Sequence, residues 1–141
     1  MKFKYSRIPL PGPSSALGSV LFKPIIPIII SHRERAIRYG ALLDSGADFC
    51  MFDGLVGEYL GIDVRSGARE RFGGVEEGAG LEAYFHPVTL KLGTLHREVT
   101  VGFSYDIANH GFAVLGQIGF FDGFRVLFDL QKDEIDIKPK R

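Results

Sequence analysis

Cysteine, tryptophan and methionine are scarce in this 141-residue chain, which has one Cys, no Trp and two Met. The lone Cys50 cannot close an internal disulfide, which argues against a small cross-linked scaffold and fits a reducing compartment. Neither sign of charge prevails, since 17 Lys and Arg balance 17 Asp and Glu. The basic residues are scattered among acidic ones, so there is no stripe to track a nucleic-acid backbone. A long apolar run is also missing. The longest, Val20 to Ile30, has 11 residues and contains Lys23, Pro24 and Pro27, whereas a spanning helix needs roughly 20 apolar residues. That run comes late and is followed by His32 and Arg33, unlike a secretory leader, so the expected address is the cytoplasm with no membrane partner.

What is present is apolar mass: 45% of the residues are hydrophobic and 12% aromatic. A single domain of this length buries roughly two-thirds of its unfolded surface and holds a core without disulfides or metal. Residues 1–18 mix charge with Pro9, Pro11, Gly12, Pro13 and Gly18, which favours an extended N-terminal arm ahead of a domain over 19–141. Beyond it, short β-branched and aromatic runs alternate with turn residues about every ten positions, the pattern of an all-β sandwich or barrel.

Strands are expected at 25–30, at an edge or bulge because of Pro27, and at 39–43, with a polar turn over 31–38 between them. Others are expected at 82–92, 97–105, 112–115, 125–130 and 134–138. One helix is expected from an Asp53 N-cap to Gly61, with Leu55, Val56, Tyr59 and Leu60 on one face, and a helical turn over 118–124. Phe112, Phe120, Phe121, Phe124 and Phe128 form an aromatic stripe suited to a core.

The chemistry-bearing stretch is Ala41-Leu42-Leu43-Asp44-Ser45-Gly46-Ala47-Asp48. An apolar strand ends in an acid, a hydroxyl residue and a glycine, so the Asp44 carboxylate sits where a buried strand turns. Such a carboxylate is either a catalyst or a turn former that bonds its own backbone. His32, His86, His96 and His110 have no metal-ligand spacing among themselves or with Cys50, so no metal is expected. Cys50, between Phe49 and Met51, reads as a small core residue. Ser45 lacks the glycine two positions earlier that builds a nucleophile elbow, since Leu43 stands there.

Three segments in order resemble the retropepsin-like aspartic proteases, the single-domain relatives of pepsin. They are Leu42 to Ala47; the glycine-rich Phe72-Gly73-Gly74-Val75-Glu76-Glu77-Gly78-Ala79-Gly80; and Ala113-Val114-Leu115-Gly116, followed by a turn with Phe120, Phe121 and Phe124. The likeness covers roughly Ile25 to Ile137. It implies a closed or nearly closed acid-protease β-barrel with one or two short helices and no cofactor. With one Asp-Ser-Gly per chain, it also implies a homodimer with one Asp44 from each subunit, a symmetric pair being the commonest oligomer.

The roles carried over from the family begin at Asp44, acting as acid or base. Ser45 would bond across the two-fold axis, while Gly46 and Ala47 would let substrate backbone lie close. Asp48 would support the loop and the substrate main chain. Gly73, Gly74 and Val75 belong to a hairpin flap that closes over an extended peptide; without the resemblance, the segment reads as a plain surface loop. Leu115, Gly116 and Gln117 cross behind the catalytic loop. Retroviral members commonly carry arginine where this chain has Gln117, which can hydrogen-bond but cannot form the ion pair; Arg125 or another arginine is the expected substitute. The resulting expectation is an aspartic endopeptidase. The alternative is a non-catalytic domain of the same fold used for dimerisation or peptide binding. A phosphoryl-transfer enzyme with Asp44 as nucleophile is the weakest reading, because only Asp48 is at hand to help hold a magnesium ion.

Overall fold

A computed structural model describes residues 1–73, 80–107 and 111–140. The isoleucine-rich run forms a strand because its β-branched residues alternate: Ile26, Ile28 and Ile30 are buried while Pro27 and Ile29 face out. In chain order the strands are β1 (Lys2–Phe3), β2 (Ser6–Ser14), β3 (Gly18–Lys23), β4 (Ile25–His32), β5 (Arg35–Leu43) and β6 (Met51–Asp53). They continue as β7 (Ala68–Phe72), β8 (Leu81–Leu92), β9 (Leu95–Ser104), β10 (Ala113–Leu115), β11 (Phe124–Asp129) and β12 (Glu134–Pro139).

Six strands pair in the order β4-β5-β10-β6-β9-β8, and β8 pairs back to β4 to close a barrel, as the sequence led us to expect. Closure leaves these strands no free edge at the seam. Pro27 fits because β8 joins β4 only at Ile29 to Ser31, so the missing donor falls where β4 is paired with β5 alone. The barrel is filled by Ile26, Ile28, Ile30, Leu43, Phe52, Leu90, Phe103 and Leu115. A second sheet, β1-β12-β11, contributes the buried Ile135 and Ile137 to the same core. The N-terminal segment read as an extended arm is drawn into strands: β1 pairs with β12, and β2 forms a two-stranded hairpin with β3.

Three expectations need correction. The polar turn over 31–38 contracts to Arg33 and Glu34, because His32 pairs with Arg35 and the strands extend almost to the tip; Arg33 takes φ 54° there. The helix forms as α1 (Gly54–Tyr59) with Asp53 accepting from Leu55 N at 2.9 Å, but Leu55 and Tyr59 are 59% and 55% exposed. Only Val56 and Leu60, with Gly57 between them, face the barrel, so the inward face is one residue out of phase with the expected one. Phe128, placed in the core stripe, is 40% exposed, whereas Phe120 and Phe124 are buried. Residues 118–124 form successive turns and one short helical bond, Phe124 N to Phe120 O at 3.0 Å; Gly119 at φ 104° breaks any longer helix.

Candidate active site

Strand β5 delivers Asp44 to one end of the barrel. Its last residues, Ala41 to Leu43, pair in parallel with Ala113 to Leu115 of β10, two segments about seventy positions apart. Asp44 N donates to Leu115 O at 3.0 Å, which fixes the point where the strand stops. The carboxylate is half-buried; Oδ1 accepts from Gly46 N at 2.9 Å, and Ala47 N closes the turn onto Asp44 O at 3.1 Å. That local bond is ordinary Asp turn chemistry. Its special feature is the second layer that grips the loop from behind.

Gln117 N donates to Ala47 O at 2.8 Å and Ile118 N to Asp48 O at 2.9 Å. Gly116 N donates to the Cys50 sulfur at 3.4 Å, and Cys50 Sγ in turn donates to Ile118 O at 3.5 Å. The Gln117 side-chain amide donates to Ser45 O. Residues 44–50 and 115–118 are thus held together by bonds at nearly every position, and a polar loop clamped this way keeps a fixed shape. Gly116 is required by space: a Cβ there would lie 2.5 Å from Phe49 O and 2.7 Å from Ala47 O. The thiol of Cys50 is fully buried, and burial pushes its pKa up to about 11, so it serves as a core residue and weak bonding partner.

The sequence-predicted residues therefore divide. Asp44, Ser45, Gly46, Ala47 and Asp48 are brought together with Leu115, Gly116 and Gln117. Gly73 ends β7 at φ 68°, and Phe72 pairs with Leu81, so the glycine-rich segment is carried on a paired stem of β7 and β8. Gly74 and Val75 lie outside the described residues. The arginine expected to replace the ion pair does not reach: among the described residues Asp48 has no ion pair, its carboxylate is exposed, and Arg125 sits exposed on β11. The turn behind the loop engages Arg97 instead, which binds Asp122 at 2.5 Å while Asp122 also accepts from Gly119 N at 3.1 Å.

Sequence reasoning missed one group altogether. Phe49, directly after Asp48, stacks on Phe72 of β7 with ring centroids 4.3 Å apart and meets Phe85 of β8 edge-on at 5.2 Å. These rings join the Asp44 loop to the stem of the β7–β8 hairpin, with Leu81, Ala83 and Ile107 around them. Three phenylalanines on three segments share no period, and no local pattern could have linked them.

No family model matches the chain, and no curated protein matches it. Among solved structures it is similar to EIAV protease in complex with the inhibitor HBY-793, at 21% identity over 67% of this chain and 82% of that one, with a TM-score of 0.46. It is also similar to a retropepsin-like aspartic protease from Rickettsia conorii, at 14% identity over 81% of this chain and 89% of that one, with a TM-score of 0.56. With its closed six-stranded barrel, its parallel β5–β10 pair and an Asp-Ser-Gly loop tied down by Leu115 to Ile118, the chain has the fold of the retropepsin-like aspartic proteases.

Proposed function

We propose that this chain is an aspartic endopeptidase that works as a homodimer, with one Asp44 from each subunit flanking a single water. The observation that carries this reading is the half-exposed Asp44 carboxylate at the end of β5, held by a loop that Leu115 to Ile118 clamp from behind. One carboxylate cannot serve as acid and base in the same step. Two brought close by symmetry share a proton, because a like-charged pair at short range does not ionise fully. The ionised member takes a proton from water, the oxygen of that water attacks the peptide carbonyl, and the protonated member donates to the carbonyl oxygen. Breakdown of the tetrahedral species returns a proton to the leaving amine.

In this reading an extended peptide lies along the loop by strand addition, with Ala47 and Asp48 toward its main chain. The β7–β8 hairpin, whose stem leads into the glycine-rich sequence of Gly73, Gly74 and Val75, acts as a flap that closes over the peptide and excludes water. The Phe49–Phe72–Phe85 group lines the side of the cleft between loop and hairpin and favours apolar side chains in the substrate. The second reading, a non-catalytic domain that binds peptide or dimerises, is favoured by one observation: Gln117 bonds Ser45 where an arginine–aspartate pair would stiffen the loop, leaving the Asp48 carboxylate with no partner among the described residues.

The deciding experiment is cleavage of a diverse peptide library between about pH 3 and 8, comparing wild type with Asp44→Asn and following sedimentation of the same samples. The proposal expects a wild-type dimer that cleaves and a variant that keeps its fold and dimer but loses activity. Cleavage retained by Asp44→Asn overturns the chemistry, and a dimer inert over the whole range favours the second reading.

A further inference from the structure

Strands β2 and β3 form a two-stranded ribbon outside the barrel sheet, and neither outer edge is paired among the described residues. The two edges differ. Pro9 lies opposite Val20, and a residue without an N–H cannot belong to a bonded pair of an antiparallel ladder. Ile8 and Leu21 are therefore the bonded pair, and residues 7, 9, 20 and 22 turn their backbone groups outward. On β2, Pro9 blunts that outer edge, Pro11 and Pro13 remove two more donors, and the register breaks between Pro9 and Ser14; natural sheets guard an edge in this way. Strand β3, Gly-Ser-Val-Leu-Phe-Lys, has no proline and no charge before Lys23. Val20 and Phe22 present N–H and C=O groups with no backbone partner among the described residues, and their side chains are 37% and 49% exposed.

The open edge ends beside the candidate site. Only Pro24 separates β3 from β4, and Pro24 O accepts from Leu43 N at 2.9 Å, one residue before Asp44. The Lys23 ammonium lies 5.9 Å from the centre of the Phe112 ring, immediately ahead of β10. The base of the ribbon is tied down as well. Ser6 Oγ donates to Ile25 O at 2.7 Å, and Arg7 pairs with Asp133 at 2.9 Å while its guanidinium lies 5.1 Å from the centre of the Phe22 ring. A two-stranded ribbon is marginal on its own, and these anchors fix the end of β3 at the rim of the barrel where Asp44 emerges.

We propose that the β3 edge is an additional substrate-binding strand, on which an extended apolar segment of a protein substrate, outside the residues held at Asp44, adds by strand pairing; the inference rests on the peptidase reading above and names a feature of its substrate. Val20 and Phe22 exchange backbone hydrogen bonds with that segment, and its alternate side chains lie against the exposed side chains of Val20 and Phe22. The edge selects this occupant. Free N–H and C=O groups at every second residue are matched by another extended backbone, and a strand added at this rim is continuous with a cleft that itself takes an extended chain. Each further residue of substrate reaches about 3.4 Å, so the six residues of β3 engage a comparable stretch of substrate beyond the cleft.

Two measurements on the full chain test this. In the first, a peptide of about eight residues that the chain cleaves is lengthened by about six residues of alternating threonine and valine, once at each end, and KM and kcat are compared for wild type and Val20→Pro. Residue 20 bonds nothing on β2, so the substitution removes an outward N–H and leaves the ribbon's own ladder in place. Lengthening at one end should lower KM roughly 3- to 10-fold in wild type without changing kcat, and that gain should disappear in Val20→Pro. In the second, the alternating threonine–valine segment alone is titrated into the isotope-labelled chain. The amide signals of Val20 and Phe22 should move while that of Leu21, bonded to β2, stays. Should Val20→Pro disturb the ribbon, Phe22→Thr is the replacement, and it too must reduce the gain. If lengthening at neither end lowers KM, or the gain survives both substitutions, the edge is overturned while the peptidase stands. Amide shifts at Val20 and Phe22 that Phe22→Thr abolishes, in a chain that cleaves no peptide, support strand addition at β3 and overturn the peptidase. A titration that moves neither amide overturns the inference.

Discussion

Substituting Gly116→Ala tests the clamp on the Asp44 loop more sharply than any other change. The added methyl would sit 2.5 Å from Phe49 O, 2.8 Å from the carbon of that carbonyl and 2.7 Å from Ala47 O. These are backbone atoms, so no side-chain rotation relieves the contact, and the segment Ala47 to Phe49 must retreat by nearly an ångström. Retreat stretches Gln117 N to Ala47 O, now 2.8 Å, and Gly116 N to Cys50 Sγ, now 3.4 Å. Overpacking of a well-packed site costs about 1–3 kcal/mol, and a weakened buried hydrogen bond about 1 kcal/mol more. A loss of about 3 kcal/mol lowers the melting temperature of a domain this size by about 10 °C. Urea unfolding should show a lower midpoint at constant slope. The control is Gly12→Ala, where nothing lies within 4 Å and the change should stay within about 0.5 kcal/mol. If Gly116→Ala costs no more than Gly12→Ala, the clamp does not hold the loop as described.

Other outcomes follow from the same contacts. Gln117→Ala removes the side-chain bond to Ser45 O; the fold should lose only about 1 kcal/mol, while peptide cleavage falls more steeply than stability, and equal cleavage by both proteins would count against a positioning role. Asp53→Ala deletes the cap on Leu55 N of α1 and should cost about 1–2 kcal/mol in chemical denaturation. Burial raises the Asp122 carboxyl, but hydrogen bonds from Arg97 and Gly119 N, with the charges of Arg97 and Lys140, outweigh it and leave the group below its usual value. A carboxyl with a lowered folded-state pKa contributes stability above its unfolded value and loses it as pH falls further. Melting curves should therefore steepen their decline below about pH 4, and Asp122→Asn should flatten part of that decline; an unchanged acid limb would refute the assignment.

The glycines illustrate how far local reading reaches. Asp44, Ser45 and Gly46 were legible as a strand end with turn chemistry, and Asp53 as a helix cap, because each depends on residues two or three positions apart. Gly116 was legible only as the end of an apolar run. Its need for a bare backbone comes from Ala47 and Phe49, nearly seventy residues earlier. Helix α1 failed for a similar reason: Leu55 and Val56 are equally apolar, and only the position of the barrel wall decides that Val56 is covered and Leu55 is not.

By itself, the sequence determined the class of the molecule. Alternating β-branched runs with frequent turns make strands, too many and too short for anything but a barrel or sandwich, and the Asp-Ser-Gly loop marks where one strand stops. Tertiary structure alone decided which strands close the ring, that β5 lies parallel to β10, and that Phe49, Phe72 and Phe85 meet beside the loop. The physical reason is range. Alternation records which side of a strand meets the core, but two strands buried on the same side are interchangeable until backbone hydrogen bonds between distant segments select one register and exclude the rest.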